Sequence, residues 1–317
     1  MLEGIPKLSI MVITYNQEKV VGRTMDSLIQ QRDYVYEICV SDDCSTDRTW
    51  EILQEYKNRY PDLIKIHRQE HNVGIFENTE YQWTMPTGDM VNGIAGDDTT
   101  PNGWYKSVIE FILKNNIDWR NELFCIYGDY QAVYPNGDSI VFSHKAIKRW
   151  PNEALRLALR GLIVGRGCCF SKKILDKFEH VSQGRSHIVE FVQDRQIQIY
   201  AEKNYYIPQL SNIYYANIGV SSHINAEERK ERQQIREYTV KYLESKGIKL
   251  YKTDKYQGKY KATAIQLRND KKLKTLFLLI LYKILGFNIK YMGLGSDGRH
   301  LLFALRRRLP HKNPIHF

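Results

Sequence analysis

Three polar clusters follow directly on apolar, β-prone runs, and their residue types limit the chemistry they could perform. Thr14-Tyr15-Asn16-Gln17-Glu18 closes the run Leu8–Thr14, Ser41-Asp42-Asp43-Cys44-Ser45-Thr46-Asp47 closes Tyr36–Ser41, and Gly96-Asp97-Asp98 follows Met90–Ile94. Carboxylates at strand ends can accept hydrogen bonds from the N–H of a nucleobase and from ribose hydroxyls. Two hard oxygen ligands at one strand end, Asp97 and Asp98, can hold Mg²⁺ or Mn²⁺ when phosphate oxygens fill the remaining positions. A cation there would neutralise charge building on a diphosphate leaving group. Each cluster also has a plainer reading. Asp42 and Asp43 suit turn or capping roles, and Asp97-Asp98 suits a solvated loop.

The elements that must position these clusters alternate in type. Strand patterns at Leu8–Thr14, Tyr36–Ser41, Ile64–His67 and Met90–Ile94 are separated by helix patterns at Lys19–Gln31, Asp47–Tyr60, Ile75–Met85 and Trp104–Asn116. This rhythm predicts an α/β fold with a mostly parallel sheet flanked by helices. Ligands in such folds sit beyond the carboxyl ends of the strands, so the clusters should converge on one crevice. Further along, Tyr134-Pro135-Asn136-Gly137-Asp138 predicts the turn of a hairpin between Gln131–Val133 and Ser139–Phe142. Helices are expected at Asn152–Arg160, Ser171–Phe178 and Val189–Lys203, a glycine-bearing loop at Gly161–Gly167, and short strands at Tyr205–Ile207 and Ile213–Tyr215.

The chain has 317 residues, 43% of them hydrophobic and 26% charged, enough for a sizeable core. Its net charge of +10 is unevenly placed. Residues 226–317 hold 22 Lys and Arg against 8 Asp and Glu, a net +14, while residues 1–225 are net −4. A division into a domain at 1–225 and a helical basic region at 226–317 follows. A basic region of this kind seeks anionic lipid or nucleic acid, or simply keeps the surface soluble. Within it, Lys271–Phe287 leads with lysines into an apolar stretch too short to span a bilayer. That pattern fits a helix lying in the membrane interface or one buried against the domain. The opening residues read as a first strand and not as a signal peptide. Five cysteines without a paired framework suit a reducing compartment.

The stretches SIMVITYNQEKVVGRTMDSLIQQ, YEICVSDDCSTDRTWEIL and HRQEHNVGIFENTEYQWTMPTGDMVNGIAGDD resemble the family 2 glycosyltransferases, whose nucleotide-sugar domain has the GT-A fold. The likeness covers roughly residues 7–225. It implies nucleoside contacts by Thr14, Tyr15, Glu18, Asp42 and Asp43, and donor contacts around Arg68, Asn72 and Asn78. The family's Asp-x-Asp metal motif appears here as Ala95-Gly96-Asp97-Asp98, so Asp97 matches its second aspartate and Asp98 lies beside it. The loop GRGCCFSKKIL, with Gly165 and Gly167, resembles the segment that closes over donor and acceptor. In VQDRQIQIYAEKNYYIPQLSNIYY, Asp194 takes the family's base position and Gln193 stands where a glutamate is usual. Glu190 is the alternative base, and a purely structural Asp194 would pair with Arg195 or Lys203. His223 lies where some relatives place a histidine that contacts metal or phosphate.

The resemblance implies transfer of a hexose-type sugar from a UDP-sugar to an acceptor hydroxyl with inversion, assisted by Mn²⁺ or Mg²⁺. A saccharide or lipid-linked saccharide acceptor and a cytoplasmic location peripheral to the inner face of a membrane complete the expectation. A sugar-phosphate nucleotidyltransferase shares the strand and helix rhythm, but its glycine-rich N-terminal phosphate loop is missing from Thr14–Glu18. A non-catalytic scaffold fits Ala95 and Gln193 but not the three aspartates. A nucleic-acid binder explains the charge and not the acidic clusters, so nucleic acid is not an expected partner.

Overall fold

A computed structural model of the chain describes residues 4–144, 166–178, 189–216, 237, 239–247 and 250. Strands and helices alternate through its first half: Leu8–Thr14 (β1), Val21–Ile29 (α1), Glu37–Asp42 (β2), Thr49–Arg59 (α2), Ile64–Arg68 (β3), Ile75–Trp83 (α3), Met90–Ala95 (β4) and Trp104–Lys114 (α4). Then come Phe124–Val133 (β5), Ser139–Phe142 (β6), Cys169–Ser171 (β7), Lys172–Leu175 (α5), Val189–Tyr200 (α6) and Lys203–Tyr215 (β8).

All eight strands form one sheet in the order β3-β2-β1-β4-β7-β5-β6, with β8 alongside β5. Strands β1 to β4 are mutually parallel and β8 is parallel to β5, while β7 and β6 run antiparallel to their neighbours. The expected α/β architecture, a mostly parallel sheet between helices, is therefore present.

Alternation along the strands builds two cores. Leu8, Ile10 and Val12 of β1 point to one face and pack with Val21, Met25 and Leu28 of α1 and Trp104, Val108 and Ile112 of α4. Met11 points to the other face, with Val91, Tyr127 and Phe170, under Trp83 of α3 and Ile197 of α6. A strand with both faces covered carries a continuous apolar run, as Ile10–Ile13 of β1 and Ile38–Val40 of β2 do.

Two expectations need correction. The short strands placed at Tyr205–Ile207 and Ile213–Tyr215 are one strand, β8, whose pairing with β5 shifts register between Tyr127 and Asp129 and again between Asp129 and Tyr130. Pro208 has no N–H to give the ladder, so the strand bulges there and continues. The helix expected from Ser171 is the single turn α5, preceded by the unexpected strand β7. The expected helix at Asn152–Arg160, Gly165, His223 and the run Lys271–Phe287 lie outside the described residues. Among the described residues no helix is long and apolar enough to cross a membrane.

Candidate active site

Strand register sets the site. Thr14 pairs with Asp42, Asp42 with Arg68, and Ile13 with Ala95, so the carboxyl ends of four parallel strands stand in one row. The loops leaving β1 and β2 are stitched to each other. Asn16 N donates to Ser45 Oγ at 2.9 Å, Gln17 N to Thr49 Oγ1 at 2.7 Å, and Glu18 N to Asp47 Oδ2 at 3.0 Å. In return Thr46 N donates to Asn16 Oδ1 at 2.8 Å and Arg48 N to Glu18 Oε2 at 3.1 Å. Asn16 and Cys44 take left-handed backbone angles, φ 51° and 57°. Non-glycine residues hold that conformation only when surrounding contacts fix it, as these do. Burial alone would raise the Asp47 carboxyl, but hydrogen bonds from Thr49 and from Glu18 N outweigh it and hold the group below the usual range.

Within this scaffold Asp42 is fully buried. Its Oδ1 accepts from Thr14 Oγ1 at 2.9 Å, its Oδ2 from Ser45 N at 2.9 Å, and Arg68 Nε lies 3.7 Å from Oδ2. Asp43 is likewise buried and accepts from Val73 N at 2.8 Å and Gly74 N at 3.0 Å. Desolvation dominates there, so its carboxyl is raised despite those two bonds. Asn78 accepts from Ser41 Oγ at 2.6 Å and donates to Ser41 O at 3.2 Å, tying α3 to β2. These three residues hold the strand ends together. Tyr15, 38% exposed, and the exposed Asn72 and Arg68 stand at the rim, with Glu18 partly exposed beside them.

After β4 the chain turns through Gly96. A Cβ there would meet Gln17 Oε1 at 2.3 Å and Thr14 Cγ2 at 2.6 Å, so only glycine lets this turn pack on the end of β1. Thr24 Oγ1 donates to the carbonyls of Gly96 and Asp98 at 2.8 and 2.7 Å, and Arg23 to the carbonyl of Asp97 at 2.8 Å. Both aspartates are buried. Asp98 Oδ2 pairs with Arg166 Nη1 at 3.2 Å and its Oδ1 accepts from Tyr215 N at 3.3 Å. Arg166 in turn lies over the Tyr214 ring at 4.0 Å. Gly167, at φ 66°, brings this segment against β8, since a Cβ there would stand 2.6 Å from Ser211 O.

A cleft of about 720 Å³, counting the space at its open mouth, lies between β4, α3, α6 and β8. Asp98, Arg166, Gln193 and Asp194 all line it. Next to Asp194 in sequence, Arg195 is buried and hydrogen-bonded to Gln198. Burial lowers its guanidinium to about 10, and the Asp194 charge offsets part of that shift. Lys203, the other partner considered for Asp194, pairs instead with Glu122 at 2.7 Å.

Residues 9–159 match the family described as Glycosyl transferase family 2. Over that stretch, just under half of its length, the chain is similar to glycosyl transferase family 2. It is 30% identical over 110 residues to the putative glycosyltransferase EpsE of Bacillus subtilis, a match covering 35% of this chain and 40% of that one. It is 35% identical over 192 residues to the chondroitin synthase of Escherichia coli, covering 60% of this chain and 26% of that one. The chain thus spans less than half the length of either relative. Among solved structures, S. aureus TarS 1-349 in complex with UDP-GlcNAc shares the fold at a TM-score of 0.59 and 18% identity, covering 95% of this chain and 88% of that one.

The site residues expected from sequence fall into two groups. Thr14, Tyr15, Glu18, Asp42, Asp43, Arg68, Asn72 and Asn78 gather around the ends of β1 to β3. Asp98 and Asp194 meet in the cleft, with Asp97 in the adjoining turn. Glu190 lies at the start of α6, and its side chain is outside the described residues. Sequence reasoning passed over Arg166, Thr79, Gln82 and Asn212 as cleft residues. Only Arg166 gave a signal, as a lone base between two glycines.

Proposed function

We propose that the chain transfers a hexose-type sugar from a nucleoside diphosphate to an acceptor hydroxyl by one in-line displacement with inversion. The juxtaposition of Asp194 with Asp98 in a single cleft at the carboxyl end of β4 carries this reading. Asp194 takes the acceptor hydroxyl's proton as that oxygen attacks the anomeric carbon, because a sugar hydroxyl is a poor nucleophile until its proton begins to leave. Buried Arg195 next to it keeps its charge at neutral pH and so favours the ionised base. Arg166 orients Asp98 through their ion pair.

The neighbouring buried carboxylates of Asp97 and Asp98 suit a hard cation that shares its coordination with phosphate oxygens. Asp97 and Asp98 would hold Mn²⁺ or Mg²⁺, which would supply charge neutralisation for the departing diphosphate. Uridine as the nucleoside is supported by the UDP-GlcNAc held by TarS on the same fold. The stitched loops after β1 and β2, with Tyr15, Glu18, Arg68 and Asn72 at their rim, form the nucleotide side. Residues 1–225 act as the catalytic domain. The basic region 226–317 holds it at the cytoplasmic face of a membrane, near a saccharide or lipid-linked saccharide acceptor.

Asp194→Asn tests the chemistry. The variant keeps size and most hydrogen bonding but cannot accept the proton, so turnover should fall by roughly 10²–10⁴ with donor affinity nearly unchanged. Near wild-type turnover on a true acceptor would remove Asp194 from the mechanism and turn attention to Glu190→Gln.

A further inference from the structure

The cleft holds an unexplained set of polar atoms. Thr79 and Gln82 stand one turn apart on α3, so their side chains share a helix face. Asn212 reaches the same cleft from β8. All three residues are buried, at 1%, 3% and 2% exposure. Thr79 Oγ1, Gln82 Nε2 and Asn212 Oδ1 have no hydrogen-bond partner among the described residues. Buried polar groups are rarely left unpaired, so several orphans around one cavity point to a ligand or water that occupies it. Gln82 Nε2 can only donate, Asn212 Oδ1 can only accept, and the Thr79 hydroxyl can do either. Hydroxyl groups, which donate and accept at once, answer that set.

Charge narrows the ligand further. The ionisable groups lining the cleft are Asp98, Arg166 and Asp194, two acids against one base, and the base is engaged with Asp98 at 3.2 Å. With Arg166 engaged by Asp98, a carboxylate on the ligand would stand near the Asp194 charge with no second basic side chain in the lining to meet it. Ile94, Phe170 and Ile197 complete the lining with apolar surface suited to the C–H face of a ring.

We propose that Thr79, Gln82 and Asn212 are specificity-determining residues that bind the hydroxyls of the transferred sugar, and that this sugar is an uncharged pyranose and not a uronate. The assignment rests on reading the cleft as the donor-sugar site, which follows from its contact with Ala95 and Asp98 at the diphosphate end.

The test uses the full chain with Thr79→Val, Gln82→Leu and Asn212→Leu, titrated calorimetrically with UDP, UDP-glucose, UDP-N-acetylglucosamine and UDP-glucuronate. The unaltered protein should bind a neutral UDP-sugar more tightly than UDP or UDP-glucuronate. Each variant should lose roughly 3- to 10-fold of that affinity, in keeping with one hydrogen bond, and keep its UDP affinity. Thr79→Ser, which retains the hydroxyl, should restore the loss seen in Thr79→Val. Melting temperatures should hold or rise, because each substitution replaces an orphaned polar group with an apolar one. Equal losses for UDP and UDP-sugar, a fall in melting temperature that accounts for the binding change, or an effect confined to acceptor KM would overturn the subsite. Equal affinity for UDP-glucuronate would overturn the uncharged assignment. If the unaltered chain bound neither UDP nor any UDP-sugar, the UDP-sugar reading of the whole site would fail first, and the subsite with it.

Discussion

Asp97 and Asp98 are neighbours in sequence and differ in what holds them. The Asp98 carboxylate joins Arg166 to the backbone of β8 through Tyr215 N. Removing it takes a counter-charge from a guanidinium that is only 12% exposed. Breaking one partner of a buried pair costs about 3–5 kcal/mol, so Asp98→Ala should lower the melting temperature by several degrees and weaken the cleft. Asp97→Ala should act differently. We expect Mn²⁺ to raise the UDP affinity of the unaltered chain, and Asp97→Ala to remove that gain with a smaller stability change. Calorimetry showing the same UDP affinity with Mn²⁺ and with chelator in the unaltered chain would count against a metal role for either residue.

The strands are tied together at the end away from the cleft by Glu37 of β2. Its buried carboxylate accepts from Ser9 Oγ of β1 at 2.7 Å and from Thr87 N, ahead of β4, at 2.6 Å, and it pairs with Lys65 of β3. Burial alone would raise this carboxyl, but Lys65, Ser9 and Thr87 outweigh it and hold the group below its ordinary value of 4.5. A depressed carboxyl contributes stability that is full above its unfolded value and is lost as pH falls through the folded one. Glu37→Gln should therefore be destabilised against the parent at pH 7, and urea titrations should show the gap narrowing below about pH 4.5. A gap that stays constant down to pH 3 would show that charge is not the source. The main strands were legible because a sheet buried on both faces demands apolar runs, as in Ile10–Ile13 and Ile38–Val40. Strand β7, three residues long, is too short to show a period, and Pro208 divides the pattern of β8. The aspartates were legible from their place after strands. That Asp42, Asp43 and Asn78 also make hydrogen bonds to the scaffold depends on partners far away in sequence. Thr79 and Gln82 gave no sign at all, since polar residues one turn apart look the same on a solvated helix face.

Charge divides the molecule more sharply than any fold boundary does. The acidic clusters that bind nucleotide in the proposed reading lie in residues 1–225, net −4, while residues 226–317 carry +14. A membrane bearing anionic lipid would attract the second part and repel the first, which would turn the protein on the surface. Each basic residue near such a surface is worth about 1 kcal/mol, and insertion of the apolar side chains of Leu276–Leu285 would add burial that salt does not screen. The full chain should therefore sediment with phosphatidylserine vesicles at low ionic strength, not with phosphatidylcholine vesicles, and 0.5 M salt should release it only in part, since roughly a 4 Å screening length removes charge attraction alone. Replacing Lys271, Lys272 and Lys274 by Gln should weaken binding without changing UDP affinity, because the nucleotide loops are built entirely from residues before 80. A full chain that stays in the supernatant at low salt would rule out the anchor. Complete release by salt would leave the charge attraction in place and assign the apolar run to the interior of the protein.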